Sequence, residues 1–164
     1  MRGTGLSDRE GVECSNERYL EDFAAVVEAA GLRRFDLAGM TGGGALAVVH
    51  AARHPQQVSR LVLYGTYSRG RIVRSTTPGQ REKMEVLLKL MEIGWDKDDP
   101  SFRQFYAFQY FPDGTAAQFA SFNELMRRSV SGSNAVSLLR AWFLGDVRRD
   151  APRVRCPALV LHAR

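Results

Sequence analysis

Asp36-Leu37-Ala38-Gly39-Met40-Thr41-Gly42-Gly43-Gly44-Ala45-Leu46 reads as a short buried strand, a turn of very small residues and the start of an alanine-rich helix. That is the pattern of a nucleophile elbow, the sharp, strained strand-to-helix turn that presents a hydroxyl side chain above the end of a sheet. Such a turn needs small residues two before the nucleophile and two or three after it. Gly39, Gly43 and Gly44 stand at those places. The nucleophile position itself carries Thr41. Its hydroxyl is kept, while the extra methyl on Cβ stiffens χ1 and crowds a backbone already in a sparsely allowed region.

Working outward, residues 34–39 are the expected strand and 43–53 the helix after it, closed by His54-Pro55. Residues 60–64 form a second strand whose apolar middle, Leu61-Val62-Leu63, suits a parallel sheet buried on both faces. Strand, helix and strand within about 30 residues make a crossover unit. Upstream, Asn16 is placed to cap a helix over 17–30, with Leu20, Phe23, Val27 and Ala30 on one face and Gly31 as its stop. From residue 76 the pattern turns helical. Thr77-Pro78 opens a helix carrying Val86, Leu87, Leu90 and Met91, and Asp99-Pro100 opens one carrying Phe102, Phe105, Tyr106 and Phe108. Thr115 and Ser133 are placed to cap two more, bearing Phe119, Phe122, Leu125 and Met126, then Val136, Leu139, Trp142 and Phe143. Eleven of the sixteen aromatic residues lie between Trp95 and Phe143, which leaves two readings of this insertion: a core of its own, or a cap turned toward a substrate. The chain returns to a strand at 157–162.

A length of 164 residues with 45% hydrophobic content supports one domain with a real core. The expected organisation is a core part at 1–75, a helical cap at 76–150 and a return strand at 151–164. No apolar stretch approaches the ~20 residues that span a bilayer and no charged-then-apolar leader opens the chain, so a cytoplasmic protein without a membrane partner is expected. Cys14 and Cys156 have no metal-type spacing and read as reduced structural thiols; neither a metal nor a cofactor is expected. The net charge of +5 raises the question of nucleic acid, but the arginines at 69, 71 and 74 and at 148, 149, 153 and 155 are not interleaved with aromatics, and no nucleic-acid partner is expected. Gly42-x-Gly44-x-x-Ala47 formally satisfies a dinucleotide fingerprint, yet the next strand ends Leu63-Tyr64-Gly65-Thr66 without the acidic residue that would bind ribose. No Lys-Ser or Lys-Thr pair follows the glycines, so a P-loop does not fit either.

Several segments taken together resemble one family. Arg2-Gly3-Thr4-Gly5-Leu6-Ser7-Asp8, the elbow, Ala51-Ala52-Arg53-His54-Pro55, Leu61-Val62-Leu63-Tyr64-Gly65, the helical insertion and Cys156-Pro157-Ala158-Leu159-Val160-Leu161-His162-Ala163-Arg164 look like an α/β-hydrolase. The nearest branch is that of proline iminopeptidases and haloperoxidase-like esterases, including hydrolase-like domains fused to bacterial cyclase or regulator modules. The resemblance implies a partial α/β-hydrolase fold with a short parallel sheet, and a fragment of the whole. It places Thr41 at the nucleophile and the Gly42 N–H in the oxyanion hole. It also implies that the second oxyanion-hole loop lies before residue 1, and that the triad acid and base lie beyond Arg164.

An alternative home for the acid in some members, just after Tyr64, is empty: no carboxylate occurs between Asp36 and Glu82. Of the three histidines, His50 and His54 belong to the helix after the elbow, and only His162 sits at the strand end facing the correct edge of the sheet. The family's base comes from a different loop. A hydroxyl with neither base nor oriented acid is a poor nucleophile near neutral pH. The expectation is therefore a hydrolase of ester or amide bonds by ancestry, weak or inactive as this chain, with a non-catalytic small-molecule binding or regulatory remnant as the alternative. The ligand would be a small hydrophobic ester or amide, bounded by Met40, Trp95, Phe105, Phe108 and Phe122. A strand near 35 lacking its usual neighbour would leave an edge open to self-association.

Overall fold

The computed structural model describes residues 1–162. They form two units: a sheet unit made of Asn16–Ser75 and the segment from Ala141 onward, and a helical unit made of Met1–Ser15 with Thr76–Arg140. The opening loop thus goes with the helices. Its backbone explains this: Gly5 N–H donates to Ser129 O at 2.7 Å, and Asn134 Nδ2 donates to the carbonyls of Gly3 and Arg9 at 3.2 and 2.8 Å.

In the sheet unit, α1 (Asn16–Ala29) leads to β1 (Phe35–Met40), α2 (Thr41–Arg53) and β2 (Val58–Tyr64). A 3-10 turn at Ala151–Arg153 precedes β3 (Ala158–Leu161). The sheet has the order β1-β2-β3 with both pairings parallel, and its register sets Met40 beside Tyr64 and Tyr64 beside Leu161. The core gathers Leu37 of β1, Val58, Leu61 and Leu63 of β2, and Ala45, Ala47, Val48 and Ala51 of α2. Small residues along α2 let its backbone lie close to the strands, which is why so alanine-rich a helix can be so thoroughly buried. Asn16 falls inside the first turn of α1, and its Nδ2 is given to Ala141 O at 2.9 Å.

The expectation of a sheet buried on both faces does not hold among the described residues. Asp36, Ala38 and Met40 of β1, with Arg60 and Tyr64 of β2, are exposed, and all four residues of β3 are exposed. Arg60 and Asp36 even make an exposed ion pair at 3.3 Å. An apolar strand centre reports the environment the strand prefers, whereas the packing elements present decide which face is covered.

The helical unit holds α3 (Pro78–Gly94), α4 (Ser101–Ala107), α5 (Ala116–Ser129) and the greater part of α6 (Gly132–Leu144). Two expected caps form: Thr77 Oγ1 accepts from Gln80 N–H, and Thr115 and Gln118 close a reciprocal capping box. Ser133 is not a cap. The helix begins one residue earlier, the Gly132 N–H goes to the Asp96 carboxylate at 3.0 Å, and Ser131 Oγ takes the Asn134 N–H. An acidic side chain remote in sequence can satisfy helix-end donors as well as a local hydroxyl, and nothing local announces it. Among the described residues no helix is long and apolar enough to cross a membrane.

Candidate active site

β1 runs into α2 without an intervening loop. Met40 is extended at φ −120°, ψ 140°, and Thr41 follows at φ 49°, the one positive-φ residue other than glycine among those described. This is the left-handed region, which a β-branched residue enters only when its surroundings force it. Thr41→Gly should therefore raise stability by roughly 0.5–1 kcal/mol, the relief of left-handed strain less the entropy of glycine in the unfolded chain. Urea denaturation measures it, and a loss of stability would mean that the turn is held by contacts of the threonine side chain instead.

The surrounding glycines are not equivalent. A Cβ on Gly39 would lie 2.6 Å from Gly44 Cα and 2.8 Å from Ala47 Cβ, so this glycine is what lets α2 approach β1. A Cβ on Gly44 would lie 2.5 Å from the Thr66 side chain. Gly43, by contrast, faces open space, so the steric demand expected there from sequence is absent. Thr66 Oγ1 donates to Thr41 O at 2.7 Å, tying the elbow to the segment after β2.

Gly42 is buried, and a Cβ there would come within 2.4 Å of the Trp142 indole. The indole ring therefore lies directly on the backbone that follows Thr41. The α2 N-terminus has no side-chain cap and no acidic residue in its first turn. Its first N–H groups and the positive end of the helix dipole are left to face whatever negative charge develops at Thr41. Neither Thr66 nor Trp142 was legible as a site residue. Thr66 could have been found from its place just past a parallel strand at the elbow's edge of the sheet, whereas Trp142 looked like one more aromatic of the last helix.

Two histidines of the sheet unit bear on Thr41, His162 and His50. His162 follows β3 as Thr41 follows β1, with β2 between them, so two strand spacings separate them, about 10 Å. His50 is 3% exposed inside the sheet unit, with Phe23 edge-on at 4.7 Å, Phe35 at 6.0 Å and His54 at 4.6 Å between ring centroids. Among the described residues no cluster of three metal-ligating side chains occurs.

Burial, and then the neighbouring His54, push the His50 pKa below its usual 6.5, against a smaller opposing pull from Gln57. Glu28 and Arg33 line the same hollow as this histidine pair. The unfolded chain takes up a proton below pH 6.5 that the folded chain refuses, so stability falls as pH drops through that value. The melting temperature should decrease from about pH 7 to about pH 5. His50→Phe should flatten that slope, and an unchanged slope would assign it elsewhere.

Among the residues expected to bound a substrate, Met40 is 59% exposed and immediately precedes the elbow. The other four belong to the helical unit. Trp95 is buried there, its indole N–H donating to Val130 O at 2.9 Å. Phe108 lies tilted against Phe119 with ring centroids 4.6 Å apart, and Phe122 meets Phe111 edge-on at 4.9 Å. Phe105 and Phe108 remain about half exposed. The aromatics thus build much of the helical unit's own interior and leave part of its surface apolar.

A parallel sheet whose strand enters a helix through one left-handed hydroxyl residue, with the helix N-terminus beneath it, defines the nucleophile-elbow class of proteins. This chain belongs to the α/β hydrolase fold family, whose model matches residues 1–154. A 2-hydroxymuconate semialdehyde hydrolase of Pseudomonas putida is 40% identical over 67 residues, 40% of this chain and 24% of that protein. An AB hydrolase superfamily protein of Bacillus subtilis is 24% identical across 100% of this chain and 61% of its own length. In fold, the chain is similar to an esterase of Exiguobacterium antarcticum, with a TM-score of 0.79 at 19% identity over 97% of this chain and 59% of that one. Each match thus spans less than two thirds of the relative's length.

Proposed function

We propose that this chain is the elbow-bearing part of a hydrolase scaffold for acyl transfer on an ester or amide with a hydrophobic acyl or leaving group, and that these 164 residues by themselves turn over little or no substrate. The observation that carries the reading is Thr41 at φ 49° over an uncapped helix N-terminus, with His50 buried away from it and His162 two strands distant. The first half supplies a hydroxyl and a place for an oxyanion; the second leaves that hydroxyl protonated and without a base. Catalysis from binding and part of an oxyanion hole alone is of the order of 10³ to 10⁴ over water. Incubation with p-nitrophenyl acetate and butyrate tests it: turnover well above that level, abolished in Thr41→Ala, would overturn the claim of inactivity.

The alternative is binding of small acyl compounds without turnover, favoured by the same hydroxyl standing without a base. Ligand-dependent thermal stabilisation with no hydrolysis supports it, and no stabilisation by any acyl compound counts against it. The exposed β3 and the outer edge of β1 are the proposed surfaces for self-association. A concentration-independent monomer in size-exclusion chromatography would remove that proposal.

A further inference from the structure

Successive side chains of a strand point to opposite faces of a sheet, so burial alternates where one face is covered. α2 covers the face bearing Leu37, Leu61 and Leu63, which join Ala45, Ala47 and Val48 in one core. The register puts three rows of side chains on the other face. Ala38, Val62 and Leu159 stand side by side across the three strands, and so do Met40, Tyr64 and Leu161. Met40 is 59% exposed, Tyr64 53% and Leu159 55%. Asp36 and Arg60 form the third row and pair at 3.3 Å, with both side chains more than half exposed. Parallel sheets occur almost only with both faces covered, and an exposed apolar patch bordered by polar residues marks an interaction surface.

The polar row says what fits there. Two copies related by a twofold axis use the same patch on both sides, so that patch has to be self-complementary. Here an acid and a base stand at one height on adjacent strands. We propose that this face of the sheet binds a second copy of the chain, about a twofold axis running parallel to the strands and midway between β1 and β2. That rotation keeps height along the strands and lays each of the two strands over the other. Asp36 then faces the second copy's Arg60, Ala38 its Val62, and the Met40 thioether its Tyr64 ring, a favourable sulfur–aromatic contact. A standard interface buries about 800 Å² per partner, and a face of three short strands offers less, so the dimer dissociates in the micromolar range. The proposal moves self-association from the strand edges to the face of the sheet, and it is independent of the chemistry proposed for Thr41.

Sedimentation velocity of the full chain across the micromolar range tests it, and should show monomer giving way to dimer and to nothing larger. Positions on β2 are the informative ones. It is the central strand, with both edges taken by β1 and β3, so it reaches another copy only through its face. Tyr64→Lys, which sets an unpaired charge among apolar side chains, should weaken dimerisation by about tenfold or more. Arg60→Glu sets acid against acid and should weaken it as well, whereas Asp36→Arg combined with Arg60→Glu should restore it. The replaced side chains are more than half exposed, so the melting temperatures should change little, and loss of the dimer is then separable from unfolding. A monomer at every concentration, assembly beyond a dimer, a dimer untouched by Tyr64→Lys, or no recovery in the charge exchange would overturn the proposal. A dimer untouched by Tyr64→Lys would leave association at the strand edges standing.

Discussion

Gly39→Val is expected to abolish folding of the sheet unit, and Gly39→Ala to cost about 3 kcal/mol or more. The first side-chain atom added at this position meets Gly44 Cα at 2.6 Å, Ala47 Cβ at 2.8 Å and the Gly43 carbonyl at 2.9 Å. Two of those contacts are backbone, and the helix they belong to is packed into the core through Ala45, Ala47, Val48 and Ala51, so no flexible side chain can swing aside. α2 would have to withdraw from β1 along its first two turns. Against a total stability of about 5–15 kcal/mol, valine at this point leaves little of the native state populated. The neighbouring glycine supplies the control. Gly43 lies in the same helix and faces open space, so Gly43→Ala should be neutral or stabilise by roughly 0.5–1 kcal/mol through the lower entropy of the unfolded chain. Urea denaturation of the three variants decides the matter: similar losses for Gly39→Ala and Gly43→Ala would refute the close-approach account of the turn.

Thr41→Ser is expected to change ester hydrolysis by less than tenfold. Serine at this position restores the residue type usual for the elbow and removes the methyl, but it provides no proton acceptor. In hydrolases with a full triad, nucleophile, base and acid act as a unit worth about 10⁶ in rate, and losing one member forfeits most of that. On the function proposed above the hydroxyl is present and the base is not: His162 follows a strand two places away, and His50 is buried among Phe23, Phe35 and His54. Changing the nucleophile therefore acts on the term that is not limiting. Single-turnover assays with p-nitrophenyl butyrate would show it, and a gain of about 10³ in the serine variant would mean that a base reaches position 41 after all.

Much of this was legible because the signals are local. A strand, a run of glycines and an alanine-rich helix announce an elbow through sterics that act within a dozen residues. Thr77 and Thr115 announce helix starts through hydroxyls three residues from the donors they satisfy. What remained illegible depends on residues distant in sequence. Asp96 caps a helix 36 residues further along, Trp142 lies on Gly42, Thr66 ties the elbow from the end of the next strand, and the opening loop joins the helical unit through Asn134. The glycine run also shows the limit of reading by motif, since Gly39 and Gly44 are required by close contacts and Gly43 is not.

The sequence by itself determined the elbow, the parallel crossover and the family, because each follows from short-range sterics and from the periodicity of apolar residues. Only the tertiary structure decided that Thr41 is held at φ 49°, that an indole rests on the backbone after it, and that His50 is buried among aromatic rings. Strand order and side-chain burial set the distances between groups, and distances of that kind are not encoded in spacing along the chain.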